Sequence, residues 1–424
     1  MKLKFLIPAL IFHFIGIAQT AQQTAKAFVE DIMQERYDMA LNYADTTFLQ
    51  KVTPAMLEQI RNGLTQKLGN FKNIIDINQE PYKDLQINIL YSKFEKDSLD
   101  LKVITNKDLK VSGFFVAPHK EVYNQAANPN AYNIQSGNLS LPGTLLIPQE
   151  NNKHKLVILV HGSGPNDRDE TLAQLKPFKD LADGLYKEGV ASYRYDKRSF
   201  VSAGSLPQNP TVDDIVTNDV LNIIEHFYNN DTFRNYKLYI IGHSLGAMMA
   251  PRIAKDANGK LSGLIMMAAP ARPLSELILE QTTYLDSLYP SKEQDKALKL
   301  ITKQVDFMNS AHFNENSPAD SLPLHQPASY WISFMEYNQV KTIEKLKTPF
   351  LILQGEKDYQ VKMTDFNLWK NATKGMANIS LKSYPGLSHM FMLSQGTPGL
   401  QDYEGEKHIP DYVISDIAGW IKHH

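Results

Sequence analysis

The chain has 424 residues, 43% of them apolar and 21% charged, with a formal net charge of −2 and no cysteine. That is the composition of a folded protein with room for two domains. The scattered lysines and arginines form no basic stripe for nucleic acid. Without cysteine there is no disulfide, no thiol nucleophile and no lipid anchor on cysteine.

Lys2 and Lys4 precede the apolar run Phe5–Ile17, and Gly16-Ile17-Ala18 offers small residues where a signal peptidase reads. The run is short for a bilayer span. Residues 1–18 are expected to be a signal peptide cut near Ala18, leaving a periplasmic or secreted protein without a stable membrane span. An uncleaved anchor is the alternative.

From residue 19 to 125 the pattern predicts a small α+β domain. A helix is expected over Thr20–Ala40, with Ala27, Phe28 and Ile32 as candidate buried positions. A second, Pro54–Leu68, has Thr53 as N-cap, Pro54 at its first position and Gly69 at its end. Antiparallel strands are expected over Asp84–Tyr91, Leu99–Thr105 and Leu109–Val116. His119 is isolated and expected at the surface. Phe48, the helix 54–68 and Gly69-Asn70-Phe71 resemble a domain of unknown function found upstream of bacterial hydrolases, with a nuclear-transport-factor-like α+β cone. The resemblance implies a substrate-modulating or partner-binding role.

Residues 124–138, rich in Asn, Ala, Gln and Gly, are expected to be a linker or exposed loop. After them, apolar strands alternate with helices. Strands are predicted at 139–147 (turning at Pro142-Gly143), 156–160, 190–195, 238–241, 263–269, 349–354 and 379–384, with helices at 211–229 and 247–255. This order predicts a mostly parallel α/β sheet over 126–424. One interval breaks it. Leu277–Leu288, Lys292–Met308 and Tyr330–Leu346 are amphipathic with no strand among them, and predict a helical lid at about 274–347. Its aromatics Tyr284, Phe307, Tyr330, Trp331 and Phe334 either line an acyl pocket or pack a helical core.

The chemistry centres on Gly242-His243-Ser244-Leu245-Gly246. An apolar strand runs into it and a helix-permissive run leaves it, the context of a G-x-S-x-G nucleophile elbow. A serine hydroxyl needs a histidine to take its proton and a carboxylate to orient that histidine. Asp358 follows the strand 349–354, with Glu356 as the competing acid. His389 follows the strand 379–384. Ser244, Asp358 and His389 stand in the chain order of that fold class. His243 is expected to pack rather than act as base. An earlier loop, His161-Gly162-Ser163-Gly164-Pro165, supplies the other backbone approach. The N–H groups of Ser163 and Leu245 are the candidate oxyanion donors. Arg194, Asp196, Asp167 and Arg168 are expected to form an ion-pair network behind that loop.

Residues from about 139 to 424 resemble the α/β-hydrolase superfamily through these motifs. The run 161–170 is similar to a loop in a bacterial esterase branch grouped with the serine aminopeptidases. The resemblance implies a serine hydrolase that uses no metal or cofactor; the first expectation for its substrate is a small-molecule acyl ester. A peptidase or amidase using the same triad stays open, with Glu276, Glu280, Asp306 and Glu336 available to hold a substrate amino terminus. A binding protein on a hydrolase scaffold is the remaining reading. One departure stands out: the family's Asp-x-Arg-Gly-x-Gly reads Asp196-Lys197-Arg198-Ser199-Phe200-Val201, without either glycine.

Overall fold

The computed structural model describes residues 20–119 and 128–424. The expected signal peptide, residues 1–18, and the start of the expected linker lie outside them. The chain divides into two compact units, Met1–Val122 and Tyr123–His424. Among the described residues no helix is long and apolar enough to cross a membrane.

In the first unit the helices come first: α1 (Ala21–Met33), α2 (Tyr37–Leu41), α3 (Thr46–Leu49) and α4 (Pro54–Leu68). The single helix expected over 20–40 is broken, because Glu35 takes a positive φ of 63° and Arg36 is not helical. A left-handed residue cannot continue a right-handed helix. Helix α4 has the expected ends: the Thr53 hydroxyl accepts from the Met56 N–H, and Gly69 turns the chain at φ 79°. An antiparallel sheet follows in the order β1 (Phe71–Tyr82), β2 (Leu85–Phe94), β3 (Ser98–Thr105), β4 (Val111–Pro118). Strand β1 was not foreseen. Its twelve residues, FKNIIDINQEPY, lack the alternation of a half-buried strand, and none of them is fully buried. The core joins Phe28, Val29 and Ile32 of α1 to Leu90, Leu101 and Val103 of the sheet. His119 is not isolated: its ring stacks on Tyr91 and its Nδ1 lies 2.7 Å from the buried Asp100 carboxylate.

The second unit opens with the hairpin β5 (Ile134–Ser136) and β6 (Leu139–Leu141), so part of the expected linker is a strand. Pro142 then separates β6 from β7 (Gly143–Leu146), since a proline cannot donate to the ladder. The rest of the unit alternates: β8 (Lys155–Val160), α5 (Pro177–Lys187), β9 (Ala191–Tyr195), α6 (Arg198–Val201), α7 (Asn218–Asn229), β10 (Lys237–His243), α8 (Leu245–Asp256), β11 (Gly263–Met267). Next come α9 (Leu274–Leu288), α10 (Lys292–Met308), α11 (Ala328–Met335), α12 (Gln339–Ile343), β12 (Phe350–Gly355), α13 (Met363–Ala372), β13 (Ile379–Tyr384) and α14 (Asp411–His423). The single helix expected over 330–346 is therefore two. Asn338 ends the break by capping α12, its side chain accepting from the Lys341 N–H.

The seven strands lie in the order β13-β12-β11-β10-β8-β9-β7, all parallel except β7. Strands β8, β10, β11 and β12 are buried along almost their whole length, which is why they read as continuous apolar runs. Apolar clusters cover both faces of this sheet. From β8 the chain steps to β9 on one side and then returns to β10 on the other. That reversal opens a crevice at the carboxyl ends of β8 and β10, where open α/β sheets bind ligands.

Candidate active site

Strand β10 delivers Ser244 to this crevice. Gly242 pairs with Val160 of β8, and His243 pairs with Met267 of β11. Ser244 then adopts φ 52°, ψ −115°, a costly conformation for a residue with a side chain. Its N–H donates to the Met267 carbonyl at 2.9 Å, and α8 begins at the next residue. A Cβ on Gly246 would run into the carbonyls of Val160 and His161, and one on Gly242 into that of Gly246. The two glycines thus let the helix start against the end of β8. As the first residue of α8, Leu245 presents an N–H with no partner within the helix.

The acid and the histidine come from neighbouring strands. Asp358 lies three residues beyond β12 and is buried. One of its oxygens accepts from the Gln360 and Val361 N–H groups, at 2.8 and 2.9 Å. The other accepts from Gln354 Nε2 at 3.2 Å and lies 2.7 Å from His389 Nδ1. A carboxylate can only accept, so Nδ1 of His389 donates to it. The competing acid, Glu356, is exposed and accepts from the Ser383 hydroxyl. The acid and histidine loops are tied to each other: the Glu356 N–H donates to Tyr384 O and the Lys357 N–H to Leu387 O.

His243 is buried, as expected, but it does more than pack. Its Nδ1 approaches Glu170 Oε2 to 2.9 Å, off the in-plane N–H direction, and its Nε2 donates to the His389 carbonyl at 3.0 Å. Both ring nitrogens therefore face acceptors, the arrangement of an imidazolium. Burial opposes that charge, but the Glu170 carboxylate, then the His389 carbonyl, outweigh it and raise the His243 pKa. Burial likewise pushes Glu170 up, and His243 more than cancels it, holding the carboxyl below its ordinary value. Glu170 Oε1 also accepts from the Gly162 N–H at 2.6 Å. One buried pair thus links the loop after β8, the elbow and the histidine loop. Sequence reasoning missed Glu170, since one acid among the charges of 161–170 carries no periodic or motif signal.

The loop after β8 has its own supports. Lys197 Nζ donates to Gly162 O at 2.8 Å and Gly164 O at 3.1 Å. Asn166 Nδ2 donates to Gly162 O at 3.2 Å and Ser163 O at 3.0 Å. Ser163 itself is exposed. His161 is buried between Phe178 and Tyr195, and burial lowers its pKa to about 4, so it is neutral.

The ion pairs behind this loop differ from those expected in one member. Arg168, fully buried, grips Asp196 through Nε at 3.0 Å and Nη2 at 2.7 Å. Arg194 pairs with Asp169, not Asp167. Asp167 instead accepts from Asp169 and Thr171, closing the turn in which it sits. The segment without the family's two glycines forms the helical turn α6, which needs no left-handed residue. Its Arg198 reaches Asp219 at 2.7 Å and the Ser136 carbonyl at 2.9 Å.

In the helical interval, Tyr330, Trp331 and Phe334 are buried in the main core, and Phe307 packs against it. Tyr284 stacks on Tyr359 and donates to Pro398 O. Of the acidic residues considered for a substrate amino terminus, Glu280 is taken by Arg272 at 2.7 Å and Lys362 at 3.1 Å, while Glu276, Asp306 and Glu336 are exposed.

A serine on a strand–turn–helix unit at the switch point of a largely parallel sheet places this molecule among the α/β-hydrolases. More narrowly, the chain belongs to the family described as serine aminopeptidase, S33, which matches residues 151–395. Residues 25–114 match a family described as a protein of unknown function, DUF3887. The chain is 30% identical over 415 residues to Esterase EstD of Thermotoga maritima, covering 97% of this chain and 98% of that one. Similar solved structures include Est1E of Butyrivibrio proteoclasticus, at 16% identity and TM-score 0.43, covering 69% of this chain and 96% of its own. The Pyrococcus furiosus esterase Pf2001 is also 16% identical, with a TM-score of 0.45 and coverage of 69% and 89%.

Proposed function

We propose that the protein is a serine hydrolase that cleaves carboxylic esters of small molecules through an acyl-enzyme on Ser244. The observation that carries this reading is the buried Asp358–His389 pair at 2.7 Å, whose Nε2 has no partner among the described residues, on the loops that flank the strained Ser244. Ser244 Oγ attacks the ester carbonyl and passes its proton to His389 Nε2. Asp358 keeps the imidazole oriented and stabilises its charge. The oxyanion faces the N–H groups of Ser163 and Leu245, each worth about 3 kcal/mol in the transition state. His389 returns the proton to the departing alcohol, then activates the water that releases the acid. The similarity to an esterase along nearly the whole chain supports the ester as the bond cleaved.

The test is covalent labelling of the folded protein by a fluorophosphonate, with the adduct mapped by peptide mass. Modification of Ser244, and loss of hydrolysis in Ser244→Ala, are expected. Folded protein that resists the reagent sinks the proposal.

The family description keeps a peptidase in play. Such an enzyme needs an anion for the substrate amino terminus, and Glu280 is already committed to two cations. Rates on p-nitrophenyl acyl esters against aminoacyl-nitroanilides separate the two. Export through residues 1–18 belongs to the same proposal. Amino-terminal sequencing of protein made by its native host tests it, with Gln19 expected first.

A further inference from the structure

Lys197 is 2% exposed, yet among the described residues the hydrogen bonds of its ammonium go only to two backbone carbonyls. The Glu170 and Asp219 carboxylates act on it through space. Burying an ammonium with so little compensation is costly, and a hydrophobic side chain of similar volume would serve packing better. What the charge does is visible in the loop it touches. The Gly162–Ser163 peptide is trans, so its C=O and N–H point in opposite directions. Lys197 and Asn166 hold the Gly162 carbonyl on their side. The Ser163 N–H must then face away from them and has no acceptor among the described residues. The Gly162 N–H, by contrast, is spent on Glu170. The elbow lies against this loop: a Cβ built on Gly162 would sit 3.2 Å from Ser244 Cβ.

We infer that Lys197 is a positioning residue for the oxyanion site: by drawing in the Gly162 and Gly164 carbonyls it turns the Ser163 N–H toward the atom attacked by Ser244, and its charge strengthens that peptide as a donor. The inference rests on the esterase reading above and adds a residue to it. The ammonium is worth more as negative charge develops on the substrate, so its effect falls on the transition state rather than on substrate binding. Burial, partly offset by Glu170 and Asp219, lowers the Lys197 pKa to about 8. The neutral amine that forms above this value grips the carbonyls more weakly, giving a fall in rate on the alkaline side. The other titratable groups against this loop are His161, Glu170 and His243, with Asp167, Arg168 and Asp169 in the loop itself and Asp196 beside it. His161 is already neutral there and Glu170 already ionised, so neither accounts for that fall. His243, whose pKa is raised, also loses its proton on the alkaline side, but that share is untouched by a change at Lys197, so only the part of the fall that Lys197→Arg removes belongs to Lys197.

The experiment compares native protein with Lys197→Met and Lys197→Arg on p-nitrophenyl butyrate across pH. Lys197→Met is expected to lower kcat by about 100-fold with KM changed less than about threefold, and to weaken binding of a trifluoromethyl ketone in parallel with kcat/KM. Lys197→Arg, whose charge does not titrate, is expected to recover most of kcat and to lose the alkaline fall near pH 8. A folded Lys197→Met with kcat within about threefold of native overturns the inference. So does an alkaline fall that persists unchanged in Lys197→Arg, a result that stands even where the methionine variant does not fold. Ser244→Ala separates the two claims. If it stays active, the esterase reading fails. If it is inactive while the Lys197 variants behave as native, only the role of Lys197 fails.

Discussion

Two carboxylate–histidine pairs lie side by side in this molecule, their imidazole rings 4.7 Å apart, and they are built for different work. In the Asp358–His389 pair, Nε2 of the histidine has no hydrogen-bond partner among the described residues. Glu170 and His243 leave nothing open: one ring nitrogen faces the carboxylate and the other the His389 carbonyl. On the proposed mechanism the same two side-chain types thus give a base in one place and a buried strut in the other. What separates them is the far nitrogen. In one pair it has no acceptor among the described residues; in the other it faces a carbonyl oxygen. The strut also holds the Gly162 N–H, so a single buried charge pair fixes both loops between which the serine sits.

Breaking the first pair has the largest expected effect. Asp358→Asn keeps the volume but offers an N–H toward His389, favouring the wrong tautomer. A fall in kcat of about 10⁴-fold is expected, with little change in melting temperature, measured by steady-state kinetics and thermal denaturation. Breaking the second pair inverts the pattern. Glu170→Gln leaves a buried imidazolium unpaired and should cost roughly 3–5 kcal/mol of stability, read from denaturant midpoints. If Glu170→Gln melts like native protein while losing most of its activity, the division of labour between the two pairs is wrong.

A smaller effect is expected from pH. The folded pKa of His243 is raised from 6.5, so its contribution is complete below that value and fades as pH rises through the folded one. The folded pKa of Glu170 is lowered from 4.5, so its contribution is complete above 4.5 and fades as pH falls through the folded one. The stability gap between native protein and Glu170→Gln should therefore be widest between pH 4.5 and 6.5. The smallest effect is predicted for the exposed Glu276. Glu276→Gln should change ester hydrolysis by no more than about twofold and leave stability within about 0.5 kcal/mol. A selective loss on aminoacyl-nitroanilides would instead favour the peptidase reading.

The parallel sheet was legible because strands buried on both faces must be apolar throughout, as Leu156–Val160 and Phe350–Leu353 are. Helix α4 was legible because Thr53, Pro54 and Gly69 act on the backbone locally. Strand β1 was not, because its face never becomes fully buried and its sequence need not alternate. The break at Glu35 was not, because a left-handed glutamate has no local signature. Tyr330, Trp331 and Phe334 illustrate a third case: an aromatic helix face reads alike whether it lines a pocket or packs a core, and only the surrounding elements decide.

By itself the sequence determined the elbow Gly242–Gly246, since strand, tight turn and helix are local events that glycines permit. It also placed Asp358 and His389 after late strands, in an order that one fold class uses. The tertiary structure alone decided which acid meets the histidine, leaving Glu356 at the surface. It alone paired Arg194 with Asp169, joined Glu170 to His243, and brought Lys197 to the loop after β8. Those are contacts between segments far apart in the chain. They depend on the register of β8, β9 and β10 in the sheet, and a charge read in one dimension does not say which strand end it will meet.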